Sequence, residues 1–141
     1  WSGDREDFSY QTYTRNHSWN FEGGSRVEAS AAPGFLGDES RVDPEEALVA
    51  SLSSCHMLTF LAVAAKKRYV VDSYTDDAVG FMEKNTEGKL AITRVVLRPR
   101  IVFSGERQPM TEQVDELHHI AHAECFIANS VKTEIIVEPT V

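Results

Sequence analysis

From Ala47 to Ala65 the chain carries no Asp, Glu, Lys or Arg, and this apolar run dominates its hydropathy pattern. The residues before it carry helix-start chemistry. Asp43 suits the N-cap, Pro44 the first helical position, and Glu46 the third position of a capping box. Lys66, Lys67 and Arg68 suit the C-terminal end, where the helix dipole favours cations. A run of this length raises the question of a membrane span. Ser51, Ser53, Ser54, Cys55, His56 and Thr59 make it too polar for lipid on all sides, so a fully buried helix of a soluble protein is expected. A helix apolar all round needs cover on every side, and one small sheet covers about half of it. That points to a subunit interface.

Period-2 alternation marks the flanks. Tyr13, Arg15, His17, Trp19 and Phe21 share one face of a strand expected over Phe8–Phe21. Gly23-Gly24 predicts a hairpin turn into a short strand near Arg26–Ala31, and Ala32–Val42, with Pro33, Gly34 and Gly37, predicts a loop. Beyond the helix, Tyr69–Met82 and Leu90–Phe103 predict two strands joined by a turn at Asn85–Gly88. Pro99 cannot donate to a ladder, so the second strand is an edge or bends there. Val114, Leu117, Ala121 and Cys125, at spacings of three, four and four, form the inner side of a second helix over Thr111–Glu124. A last strand is expected over Val131–Val137. Helices are few and do not alternate with strands, so the class is α+β, with about six strands. No repeat or linker divides the chain, and a single domain over residues 1–141 is expected.

Composition narrows the function. The 141 residues are 42% hydrophobic and 26% charged, as in a soluble globular domain. The formal charge of -8 argues against nucleic acid and anionic membranes, which need a basic footprint. Two cysteines are too few for a disulfide scaffold, so a cytoplasmic location is expected. The chain opens on Trp1 rather than methionine, which leaves the natural N-terminus open.

Cys55 and Cys125 carry the sharpest chemistry. A cysteine on an apolar helix is ordinarily a small packed hydrophobe. Here each lies on the apolar face of its own helix, and the two helices must share a core. A redox-active thiol pair needs a thiolate, a cation beside it, and a second thiol for the sulfenic acid. Arg15 is the candidate cation, with His17 on the same face, and Glu45 is a candidate to pair with that arginine. A different class is also open. His118, His122 and Cys125 fall at i, i+4 and i+7, and with Cys55 they offer zinc the N and S ligands it prefers. Solvent-facing histidines are the plainer account of His118, His119 and His122. His56 points about 100° away from Cys55 and makes a poor general base for it. A third reading is a non-catalytic domain whose cysteines are merely packed.

The run Asp43-Pro44-Glu45-Glu46-Ala47-Leu48-Val49-Ala50-Ser51-Leu52-Ser53-Ser54-Cys55-His56-Met57 closely resembles the helix motif of the OsmC/Ohr family. In that family an Asn/Asp-Pro-Glu opening precedes the reactive cysteine by ten residues. His122–Val131 resembles its second-cysteine segment, and Tyr13-Thr14-Arg15-Asn16-His17 resembles the arginine-bearing N-terminal strand of an OsmC-like subgroup. The resemblance implies the OsmC/Ohr-like fold, an intertwined homodimer, and thiol-dependent reduction of organic hydroperoxides. It implies no cofactor and a dithiol reductant, dihydrolipoyl or another. Cys55 becomes the attacking thiol, Cys125 the resolving one, and Arg15 and Glu45 the supporting ion pair. Arg41, just before the motif, is a second candidate for the arginine. Phe126 stands where better-known members have proline after the second cysteine. A continuous helix sets Glu45 and Cys55 about 15 Å apart along its axis, so two antiparallel copies are needed to bring both to one site.

Overall fold

The structure, a computed structural model, describes residues 1–140. Two helices and seven strands follow in the order β1 (His17–Asn20), β2 (Arg26–Ala29), α1 (Pro44–Lys66), β3 (Val70–Asp76), β4 (Val79–Lys84), β5 (Leu90–Leu97), β6 (Pro99–Ser104), α2 (Thr111–Glu124) and β7 (Glu134–Val137). The fold is α+β, as the sequence predicts. The chain divides into two compact units, Trp1–Leu48 and Val49–Val141, with α1 running through the boundary.

In the first unit, β1 and β2 pair antiparallel, with His17 opposite Ala29 and Asn20 opposite Arg26. The turn uses Gly24 at φ +86°, backbone that a side chain would strain. The expected strand over Phe8–Phe21 shortens to His17–Asn20. Residues before it form turns, with Thr12 and Tyr13 N–H both donating to the Ser9 carbonyl. Tyr13 and Arg15 therefore lie outside the strand on which their alternation placed them. The capping box at α1 forms as predicted. Glu46 N–H donates to Asp43 Oδ1 at 2.8 Å, and Asp43 N–H reaches back toward Glu46 Oε2 at 3.5 Å.

In the second unit, the two long strands expected over Tyr69–Met82 and Leu90–Phe103 each break in two. β3 pairs with β6, while β4 pairs with β5 in a separate sheet that β7 extends in parallel. The breaks fall opposite one another, with Asp76 paired to Pro99. There the Asp76 carboxylate takes the N–H of Arg98 at 2.6 Å and the hydroxyl of Ser53 at 2.5 Å. One half-buried carboxylate thus fixes a bend in a long hairpin and fastens it to α1. Gly80 lets β4 run close to the same helix, because a Cβ there would stand 2.6 Å from a Val49 methyl. The last strand covers only Glu134–Val137 of the expected Val131–Val137.

Phe60, Ala64, Tyr69, Leu117 and Ala121 form the buried core between α1, α2 and the β3–β6 sheet. The four-residue spacing of Leu52, His56, Phe60 and Ala64 makes one stripe of α1 buried. The expectation of a fully buried helix holds only for that stripe within one chain; Leu58 is 60% exposed. By length and composition alone α1 is also apolar enough to cross a membrane. α2 occupies the residues predicted for it. Leu117, Ala121 and Cys125 of its expected inner side are buried, and Val114 is half-buried.

Candidate active site

Cys55 sits in the middle of α1, half-buried, and Cys125 caps the C-terminal end of α2 at 1% exposure. Leaving the helix, the chain turns at once. Ala128 N–H donates to Cys125 Sγ at 3.4 Å, and Asn129 N–H to the Cys125 carbonyl at 3.0 Å. This turn brings the Cys125 thiol and the N–H groups of Ile127 and Phe126 onto the Cys55 sulfur. The two cysteines are unlinked, and Cys125 lies beside Cys55.

Their environments push the two thiols in opposite directions. Burial raises the Cys55 pKa, but the hydrogen bonds it accepts outweigh that and leave it lowered. The donors are, in order, the Cys125 thiol, the Ile127 and Phe126 amides, and the Thr59 hydroxyl. Thr59 also reaches the Cys55 carbonyl at 2.9 Å, one helical turn back. Cys125 is pushed up, first by burial and then by donating to Cys55. One sulfur is thus disposed to be thiolate while its neighbour stays protonated.

A groove of about 560 Å³ opens beside Cys55, lined by Leu58, Thr59, Ala62, Glu124, Phe126 and Ile127 among others. Its walls are mainly apolar, and Phe126 stands 80% exposed. This groove explains what the residue after Cys125 does: its amide faces the sulfur and its ring faces outward.

The supporting residues lie in the first unit. The Arg15 guanidinium stacks 3.7 Å from the Tyr13 ring centroid and donates to the carbonyls of Tyr13, at 2.6 Å, and Tyr10. No carboxylate pairs with it among the described residues, so the expected Arg15–Glu45 ion pair is not formed within the chain. Glu45 Oε2 is buried without a hydrogen-bond partner among the described residues. Arg41, by contrast, is engaged with Glu28 at 2.7 Å and Asp38 at 3.6 Å. Both ring nitrogens of His17 are taken, Nδ1 by the Arg15 carbonyl and Nε2 by the Trp19 indole.

The zinc reading finds no support in the geometry. Among the described residues no three His, Cys, Asp or Glu side chains converge on a point where a metal ion would sit. His118 corrects the expectation of a solvent-facing side chain. It is 5% exposed and hydrogen-bonded to His56, at 3.0 Å between Nδ1 and Nε2. His119 is exposed and His122 half-buried.

The sequence missed the two backbone amides and Thr59. Only Thr59, four residues after Cys55 on one helix face, left a signal that sequence reasoning can use.

Comparison with known proteins bears on the family and the fold. The sequence profile of the family described as OsmC-like protein matches residues 37–140. An OsmC-like protein of unknown function from Vibrio cholerae is 53% identical, with a TM-score of 0.96 over 99% of this chain and 94% of that one. An organic hydroperoxide resistance protein OsmC from Legionella pneumophila shares the fold at 15% identity, with a TM-score of 0.73 over 90% of each chain. An organic hydroperoxide resistance protein from Elizabethkingia anophelis does so at 22% identity, with a TM-score of 0.70 over 90% of this chain and 88% of that one. No curated protein matches the sequence. With its profile match spanning most of the chain and a relative more than half identical over nearly all of it, this protein belongs to the OsmC-like family.

Proposed function

We propose that this protein is a thiol-dependent peroxidase that reduces organic hydroperoxides to alcohols. The observation that carries this reading is that Cys55 opens on an apolar groove walled by Phe126 and Ile127, the residues that follow the buried Cys125, with the two thiols biased in opposite directions. In the first step the Cys55 thiolate attacks the distal peroxide oxygen and the O–O bond breaks. The alkoxide leaves as an alcohol after taking a proton, and Cys55 becomes a sulfenic acid. In the second step the Cys125 sulfur attacks that sulfenic sulfur, water leaves, and a disulfide joins the helices. A dithiol, dihydrolipoyl or another, returns the pair to two thiols by exchange. No cofactor takes part.

The apolar groove suits an alkyl hydroperoxide better than hydrogen peroxide. Two structural neighbours bear the name organic hydroperoxide resistance protein, which leans the same way. Glu45 and Arg15 complete the site from a second copy of the chain, since α1 is continuous and separates Glu45 from Cys55 by about 15 Å. Arg15 is the better cation of the two candidates because Arg41 already has carboxylate partners. The reading places the protein in the cytoplasm, where reducing dithiols are abundant.

The test is dithiol-supported consumption of an alkyl hydroperoxide against hydrogen peroxide. Cys55→Ser should lose the activity entirely. Cys125→Ser should keep a fast first reduction, then stall and accumulate sulfinic or sulfonic Cys55. Full consumption by Cys55→Ser ends this reading.

A further inference from the structure

Two buried histidines join the cysteine-bearing helices at a point the peroxidase scheme does not use. His56 follows Cys55 on α1, and His118 precedes Cys125 by seven residues on α2. Their facing nitrogens are 3.0 Å apart and their rings lie within 7° of parallel. Phe60 packs on His118 with ring centroids 4.5 Å apart, so the pair is held on an apolar side as well. Among the described residues this is the one buried side-chain hydrogen bond between α1 and α2; the other link, from Lys67 just past α1 to Glu116 at 2.9 Å, is an ion pair at the surface.

Its position matters because apolar packing is not directional. Leu117 and Ala121 against Phe60 and Ala64 hold the helices together but allow small slides and rotations. A hydrogen bond between two rings fixes distance and angle, and it is stronger out of water. This one is anchored a single residue from the attacking sulfur.

We propose that His56 and His118 are positioning residues for disulfide closure, their bond setting α2 against α1 so that Cys125 meets the Cys55 sulfenic acid. The inference rests on the peroxidase reading. In the step concerned, the Cys55 S–OH bond breaks as the Cys125 sulfur bonds to Cys55. The hydroxyl leaves as water with the proton of the Cys125 thiol. Neither histidine touches a sulfur in this scheme. Attack on the peroxide needs only the Cys55 thiolate, whereas closure needs one sulfur to meet the other, so the pair weighs on the second step more than on the first.

Two neutral, polar substitutions separate placement from mere polarity. The amide of His118→Asn reaches the position of Nδ1, whereas that of His118→Gln reaches the position of Nε2 and leaves His56 without its partner. Each variant is mixed with an alkyl hydroperoxide in a single turnover. Sulfenic acid is trapped with a dimedone probe, and closure is followed as loss of free thiol. In the Gln variant closure should slow by about tenfold or more, and by a larger factor than the first step, as misplacement by about 1 Å costs up to about 10²-fold. The Asn variant should close near the wild-type rate, and over-oxidised Cys55 should build up in the Gln variant only. Equal closure in the two variants, equal loss of both steps, or failure of both to fold overturns the inference. A wild type that forms no sulfenic acid sinks the peroxidase reading instead.

Discussion

Cys55 owes its lowered pKa to hydrogen-bond donors in its own unit. The Cys125 thiol, two backbone amides and a threonine hydroxyl offset the cost of burial. Backbone amides leave no mark in a sequence, since any residue carries one, and only the turn after Cys125 brings these two to the sulfur. That the two cysteines lie on inward helix faces was legible, because the apolar spacing of each helix is local. The burial of His118 was not, because the pattern on α2 alone could not show that His56 would face it. An arginine adds to the donors if it arrives from a second copy. Arg15→Ala should then slow alkylation of Cys55 by iodoacetamide at neutral pH, severalfold at least, with the fold intact. An unchanged rate there, with a strong effect of Arg41→Ala, moves the role to Arg41. The histidine pair makes a separate prediction about pH. Burial lowers the pKa of each to about 4, and for His56 the charge of His118 adds to it. An unfolded histidine takes its proton near 6.5. Between these values the unfolded state binds more protons, so stability is full above about pH 6.5 and falls as the pH drops toward 4. A shift of this size is worth about 3 kcal/mol for one histidine, and the pair is coupled, so the two do not simply add. Chemical denaturation across that window should show the slope, and His118→Asn should flatten it. A flat wild-type profile refutes it.

At the level of elements, legibility followed the range of the forces involved. Both helices begin and end where their sequence signals put them, because caps and 3.6-residue periodicity are local. The strands did not obey their local pattern. Tyr69–Met82 and Leu90–Phe103 are each continuous in propensity, yet each breaks where Asp76 captures the Arg98 N–H and Ser53. That contact joins residues more than twenty positions apart, beyond what alternation can show. Pro99 was the one local hint of the bend. The N-terminal strand failed for a similar reason, since Tyr13 and Arg15 engage each other through a cation–π contact instead of a ladder. The local device that did work can be tested by removal. Asp43 is 8% exposed, and its side chain accepts the Glu46 N–H at the start of α1. Asp43→Ala should lower stability by about 1 kcal/mol, read from the denaturant midpoint at unchanged m-value, because the cap has no substitute. Asp43→Asn or Asp43→Ser should recover most of it. Equal stability in the alanine variant means that the cap contributes nothing here.

For the molecule as a whole, the exposed side of α1 is the decisive feature. The uncharged run of nineteen residues from Ala47 to Ala65 buries only the stripe of Leu52, His56, Phe60 and Ala64. Leu58 remains 60% exposed, beside the groove that Phe126 also leaves open. The exposed stripe of Ala50, Ser54, Leu58 and Ala62, beside an open apolar groove, has the character of an interaction site. The cover that fits best is the same helix in a second copy. An antiparallel pair across a two-fold axis makes a self-complementary contact, and no other partner need be supplied. It would also meet the requirement of the proposed active site, by bringing Glu45 of the second copy toward Cys55. Apolar burial and catalytic geometry thus ask for the same assembly on independent grounds. The expected result is a homodimer at micromolar concentration, twice the 15.8 kDa of the chain by analytical ultracentrifugation. Leu58→Glu would set two carboxylates against the interface, one from each copy, where charge has no water to solvate it. That variant should sediment as a monomer and lose peroxide turnover with it, while its α1–α2 core, which does not include Leu58, stays folded. A wild type that sediments at the mass of one chain with cooperative unfolding intact excludes the dimer. It would also leave Cys55 to work with only the donors of its own unit.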